Sequence, residues 1–171
     1  MVRFRAEAEA DDDLVEVYPD SDWAGCPRTR KSTSGGVVVG GGGVVKTWSS
    51  TQATHALSSG EAEYYVAVRA AAEGLGMVAL MRDLGWAPRL RIYVGSSAAK
   101  SVASRVGLGR LRHLEVKFLW LQDAVRQRRL ELRKVRGDSN PADWLTKPGS
   151  TQRTANSMRS WGVDLVVQAE R

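Results

Sequence analysis

Acidic side chains are the groups in this chain whose placement could do chemistry. Asp20 and Asp22 follow the run Leu14-Val-Glu-Val-Tyr-Pro; Glu61 and Glu63 open a helical pattern after Ser58; Asp143 follows Asn140-Pro-Ala. A carboxylate at the edge of an apolar core wants a partner, usually a cation or a metal. Each acid also has a local reading. Asp20 and Asp22 suit a turn. Glu61, three residues after Ser58, completes a capping box. Asp143 would favour the dipole of the helix it opens. A Cys/His zinc site is excluded by composition, because the chain has one cysteine, Cys26, and only His55 and His113. The single cysteine also excludes an internal disulfide and fits a reducing compartment.

The elements that must position these acids follow from the pattern. Leu14–Tyr18 is β-forming, and Pro19 should end the strand or loosen it into an edge. Two β-rich runs, Gly36–Val39 and Val44–Ser49, flank glycines 40–43 and predict a hairpin of undefined register. A long helix should run from Ser59 to Leu84 and stop at Gly85, with Ala67, Ala71 and Gly74 on the face of Glu63. Leu90–Val94 is the next strand, and Ser96 caps a short helix. A helix is expected over 112–128, with Leu114, Phe118, Leu121 and Val125 as its apolar stripe, then a strand over Leu130–Val135. Pro141 suits the start of a helix carrying Asp143. The order β-β-β-α-β-α-α-β-α predicts an α/β fold of the α+β mixed-sheet kind, with helices on its faces.

With 171 residues the chain reads as one domain over 14–148, a linker over 1–13 and a tail over 149–171 with room for a helix. Its 25 Lys and Arg against 19 Asp and Glu give a net charge of +6, a weak pointer to a polyanionic partner. No apolar run reaches the ~20 residues that span a bilayer, and the polar start lacks a signal-peptide core. No membrane partner is expected.

Five stretches, in this order, carry a family resemblance: YPDSDWAGCPRTRKSTSGG, WSSTQATHALSSGEAEYYVAV, IYVGSSAAKS, RHLEVKFLWLQ and NPADWLTKP. Together they resemble the ribonuclease H domain of copia-type (Ty1/copia, Pseudoviridae) LTR retrotransposon polyproteins. The resemblance implies a ribonuclease H-like fold, a five-stranded mixed sheet flanked by helices. It implies cleavage of the RNA strand of RNA–DNA hybrids by four carboxylates holding two Mg2+ (or Mn2+) ions. The ions would activate a water and stabilise the attacking and leaving oxygens. Matched by motif, Asp20, Glu63 and Asp143 are three of those carboxylates.

At the third position the chain departs from the pattern. Tyr93-Val-Gly-Ser-Ser places Gly95 where a carboxylate is expected, and neither Asp22 nor Asp138 has the placement to substitute. Losing a metal-bound carboxylate should cost more than the ~10–100-fold that follows loss of an outer hydrogen bond to a ligand. The expected function is therefore a retrotransposon ribonuclease H with impaired cleavage. The alternative is an inactive module that binds hybrid or accompanies a reverse transcriptase of the same polyprotein. Phosphate contacts are expected from Arg28, Arg30 and Lys31, from Arg110, Arg112 and Lys117, and from Arg126, Arg128 and Arg129. Ser32, Thr33 and Ser34 suit phosphates or a turn. His113 suits a structural or phosphate contact, and Trp23, Trp48 and Trp120 suit the core. An intracellular location, cytoplasmic or within virus-like particles, is expected.

Overall fold

The computed structural model describes residues 2–4, 11, 13–105, 119–147, 149, 155, 158, 159 and 163–165. Its central strand is β2 (Leu14–Ser21), numbered after a short β1 (Val2–Phe4). On one side β2 pairs antiparallel with β3 (Thr33–Gly40), which pairs with β4 (Gly43–Thr51). On the other it pairs in parallel with β5 (Arg89–Val94), which pairs in parallel with β6 (Glu131–Lys134). The result is a mixed five-stranded sheet in the order β4-β3-β2-β5-β6. Apart from it, β1 pairs with β7 (Val163–Leu165), so part of the segment read as a lead-in is a strand.

Four helices complete the described fold: α1 (Ser59–Asp83), α2 (Ser97–Ala103), α3 (Trp120–Arg126) and α4 (Asp143–Thr146). Most of the expected 112–128 helix, with Leu114 and Phe118, and most of the expected tail helix lie outside the described residues. α1 lies on the sheet because its facing residues are small. Ala67, Ala71 and Gly74 are buried, and a Cβ on Gly74 would stand 2.6 Å from Leu90. By length and composition α1 also passes as a membrane span, contrary to the sequence reading; half of that stretch is buried inside the fold. Val15, Val17, Val38, Ile92 and Leu121 form the centre of the core.

Two sequence expectations are corrected. The first strand does not end at Tyr18; it runs through Pro19 and Asp20 to Ser21. Pro19 stands opposite Gly36, and its carbonyl is turned away from β3 to accept the Asn140 side-chain amide at 2.8 Å. In an extended strand a residue's N–H and C=O face the same side, so the donor that proline lacks would also have faced away from β3. Pairing with β5 has already ended there, at Val17–Ile92. The hairpin register is also defined. Gly41 and Gly42 both have positive φ, 57° and 70°, as a tight two-residue turn requires.

Candidate active site at the end of the central strand

Asp20 and Ser21 alternate across the end of β2, and each meets a different helix. Asp20 faces α4, where the Thr146 hydroxyl donates to its Oδ2. α4 comes this close because Gly35, opposite Asp20, has no side chain; a Cβ there would stand 2.7 Å from Leu145 Cβ. Ser21 faces α1, and its N–H and hydroxyl donate to Glu63 Oε1 at 3.3 and 3.2 Å. Asn140 ties the assembly together. Its amide donates to Pro19 O, its side-chain oxygen accepts the Ala142 N–H at 3.1 Å, and its backbone carbonyl accepts the Asp143 N–H at 3.2 Å. Asp143 thus sits at the same end of the sheet, ion-paired with Lys147 one turn later. Gly95 lies just past β5, and a Cβ on it would be 3.7 Å from Glu63 Oε2 and 3.9 Å from Asn140 Nδ2. The four positions named from sequence therefore gather at one end of the sheet.

The electrostatics of this end follow from burial. Glu63 has its pKa pushed up to about 7, first by desolvation and then by the Asp20 charge; the Ser21 hydrogen bonds and Lys147 oppose the shift. Asp20 is raised for the same first reason, against its Thr146 hydrogen bond and Lys147. Glu63 Oε2 is buried and has no hydrogen-bond partner. Two desolvated carboxylates, one with an unpartnered oxygen, are the donor chemistry of a hard divalent cation such as Mg2+. The residues present fit one such ion anchored on Asp20 and Glu63. They do not complete a two-ion set. Gly95 contributes nothing, Asp143 is drawn to Lys147, and among the described residues no three His, Cys, Asp or Glu side chains form a metal cage.

Glu61 shows what a structural carboxylate on the same helix looks like. Ser58 caps α1 by accepting the Glu61 N–H at 3.2 Å. The Glu61 side chain accepts the Leu57 N–H at 3.0 Å and the Tyr65 hydroxyl, and is 1% exposed. Asp22 keeps its turn role, closing the loop onto Thr33 through backbone and side chain. Asp138 is exposed and paired with Arg136 at 2.8 Å.

The expected binding residues divide. Arg28, Arg30 and Lys31 stand in the exposed or half-exposed loop after β2, at the site end. Arg110, Arg112, Lys117 and His113 lie outside the described residues. Arg128 and Arg129 line a groove near the start of β5 and β6, at the other end of the sheet from the acids. Ser32 and Ser34 are buried, accepting the Ala24 N–H and the Gln52 amide, so they hold the loop and strand rather than face solvent. Trp48 is buried and Trp120 packs against the core, but Trp23 is 54% exposed. Its ring N–H reaches the Ala56 carbonyl at 3.1 Å, beyond the sheet's edge. Sequence reasoning missed Ser21, Asn140, Thr146 and Lys147, which orient or neutralise the acids. Their only signal was closeness in sequence to Asp20 and Asp143.

No protein-family model matches the chain. It is 30% identical over 138 residues to the retrovirus-related Pol polyprotein from transposon TNT 1-94 of Nicotiana tabacum, covering 80% of this chain and 10% of that protein. It is 28% identical over 152 residues to the corresponding polyprotein from transposon RE2 of Arabidopsis thaliana, covering 87% and 10%. The chain thus spans about a tenth of the curated relatives it matches. Among solved structures it is similar to LC11-RNase H1 isolated from compost, with a TM-score of 0.60 at 18% identity, covering 78% of this chain and 93% of that one. A second structure of that protein, in complex with an RNA/DNA hybrid, gives 0.51 at 18% identity, covering 77% and 93%. RNase H1 of the halophilic archaeon Halobacterium salinarum gives 0.53 at 20% identity, covering 78% and 94%. The chain is a homologue of the retrovirus-related Pol polyproteins of plant transposons, and it has the ribonuclease H-like fold.

Proposed function

We propose that this domain binds RNA–DNA hybrids as part of a copia-type polyprotein and that its metal-dependent cleavage of the RNA strand is impaired at Gly95. The observation that carries the reading is the unpartnered, buried Oε2 of Glu63, 3.7 Å from where a Cβ on Gly95 would stand. A divalent cation bound here would supply charge for activating water and stabilising the leaving oxygen. Asp20 and Glu63 would hold it, and Thr146 and Ser21 fix their orientation. Asp143 would join them on release from Lys147. Arg28, Arg30 and Lys31 would take phosphates of the hybrid. The exposed Trp23 ring would stack on a base or sugar beside them. Hybrid binding by a protein of this fold supports the reading, as does homology to Pol polyproteins, which makes a reverse transcriptase of the same polyprotein the natural companion, in the cytoplasm or in virus-like particles.

A second reading, a module that holds hybrid without cutting it, is favoured by the Asp143–Lys147 pair, which occupies one of the remaining acids. One assay separates them. Labelled RNA–DNA hybrid is incubated in Mg2+ or Mn2+ with the parent chain, Asp20→Asn and Gly95→Asp. Weak cutting by the parent, loss in Asp20→Asn and strong cutting by Gly95→Asp support impaired catalysis. No cutting by the parent, with binding retained, supports the holding module. Strong cutting by the parent that survives Asp20→Asn sinks the site assignment.

A further inference from the structure

At the opposite end of the sheet from the acids lies a groove of about 740 Å³. Its wall begins at Leu14, six residues before Asp20 on the same strand, or about 20 Å at ~3.3 Å per residue. The floor is apolar: Leu75 and Val78 of α1, Leu90 of β5, Val125 of α3 and Leu130. The rim is cationic, with Arg82, Arg89, Arg128 and Arg129, and Glu131, which also lines the groove, is paired with Arg91 and Arg133. Arg89 pairs with Asp11 at 2.7 Å. Arg82, Arg128 and Arg129 are exposed and form no ion pair among the described residues. Trp86, 57% exposed, directly precedes the wall residues Ala87 and Pro88.

One of these arginines occupies a costly position. α3 ends in a Schellman turn: the Arg129 N–H bonds the Ala124 carbonyl and the Arg128 N–H bonds the Val125 carbonyl, both at 3.0 Å. Arg128 therefore stands at the left-handed position, φ 55°, where glycine is preferred. A bulky cation kept there, with no ion-pair partner among the described residues, points to a use outside the fold.

We propose that this groove docks a protein segment with an apolar face flanked by carboxylates. The apolar floor and the exposed tryptophan suit burial of leucine-like side chains, and arginine and tryptophan are the residue types that dominate binding energy at interfaces. A second copy meeting the same face would set arginines against arginines, which repel. Nucleic acid would satisfy the rim but leave the floor uncovered.

The test uses the whole chain and two labelled helical peptides of about 20 residues. Both carry leucines on one face; one flanks them with glutamates and the other with lysines. The acidic peptide should bind, and the lysine peptide at least ~10-fold more weakly. Arg129→Gln, at a position of ordinary backbone angle, should weaken the acidic peptide several-fold at unchanged Tm. Arg128→Gly should weaken it similarly and raise Tm by about 2–4 °C as the left-handed strain is relieved. Equal affinity for both peptides, no binding of either, displacement by RNA–DNA hybrid, or full affinity in both variants overturns the proposal.

Discussion

On the β2–α1 side of this end of the sheet, Asp20 is buried, Glu63 is partly buried, and both carboxylates are held by neutral donors. Ser21 grips Glu63 and Thr146 grips Asp20, and among the described residues neither carboxylate has a cation at hydrogen-bonding distance. On the β5–α4 side the charge is already balanced. Gly95 brings none, and Asp143 carries its own counter-ion in Lys147. One side holds charge that a cation would relieve; the other has removed the need for one. The two sides meet at the strand end, at Asn140 and where Thr146 of α4 grips Asp20, so one can be altered while the other is read.

The largest effect should come from giving the second side the charge of the first. Gly95 does not have a positive φ, and its Cβ position is in ordinary contact with Glu63, so Gly95→Asp can be accommodated. In EDTA the variant should melt below the parent, since a third carboxylate joins two desolvated ones. In Mn2+ it should gain more than the parent. An ion at about 1,000 times its Kd adds about 4.1 kcal/mol. Thermal melts of both proteins with and without Mn2+ measure this. Equal metal-induced shifts would show that the Gly95 side is not part of an ion site.

Next in size is the link between the sides. Asn140→Ala removes the donor to Pro19 O and the acceptor of the Ala142 N–H, both buried. Leaving such groups unpaired costs about 1–3 kcal/mol each. Urea unfolding should show a loss on the order of 2–4 kcal/mol. Asn140→Asp keeps the acceptor and loses only the donor, so it should also destabilise. An unchanged midpoint in both variants would mean that α4 docks through Gly35, Ser49 and the Thr146–Asp20 bond without help from Asn140.

How much of this is legible in the sequence depends on whether a residue's role is local. Ser58, Ser96 and the small face of α1 work within a few residues of themselves, and their motifs place them correctly. Asp20, Glu63, Asp143 and Gly95 are readable because long colinear stretches resemble one family. Pro19 misleads because its cost depends on which side its missing donor faces and on whether β5 still pairs there, and neither is a local property. Trp23 misleads because an apolar ring next to a strand suggests core, while the strand has already passed the end of the sheet. Arg128 and Arg129 are legible as exposed cations; which end of the sheet they occupy is decided by the tertiary fold.

A third prediction concerns Glu63 against Glu61. The Glu63 pKa is raised from 4.5 to about 7, so the fold favours its protonated form. That contribution is fully present below pH ~4.5 and is lost as pH rises through about 7. Glu63→Gln mimics the protonated state. Without metal it should be more stable than the parent at pH 8, by on the order of 1–3 kcal/mol, and close to it at pH 4. Glu61→Gln should do the opposite and destabilise at pH 8, because its carboxylate is fully engaged by Leu57 and Tyr65. Denaturant midpoints at the two pH values decide it. The same sign for both variants would erase the distinction between a structural and a site carboxylate.

The smallest effect tests the counter-ion. Lys147 lowers the pKa of both Asp20 and Glu63, though at each of them burial acts more strongly in the opposite direction. Its side chain is half exposed, so solvent screens most of its reach. Lys147→Met should therefore leave global stability nearly unchanged while moving the Glu63 titration to still higher pH. Carboxyl carbon NMR of Glu63 across pH 5–9 would follow it. Without the Lys147 ammonium beside it, Asp143 should attract a cation more strongly, so Mn2+ should broaden its signal at lower ion concentration than in the parent. If the Glu63 titration stays in place and Asp143 responds no earlier, the α4 side is not neutralised by Lys147, and the contrast between the two sides rests on Gly95 alone.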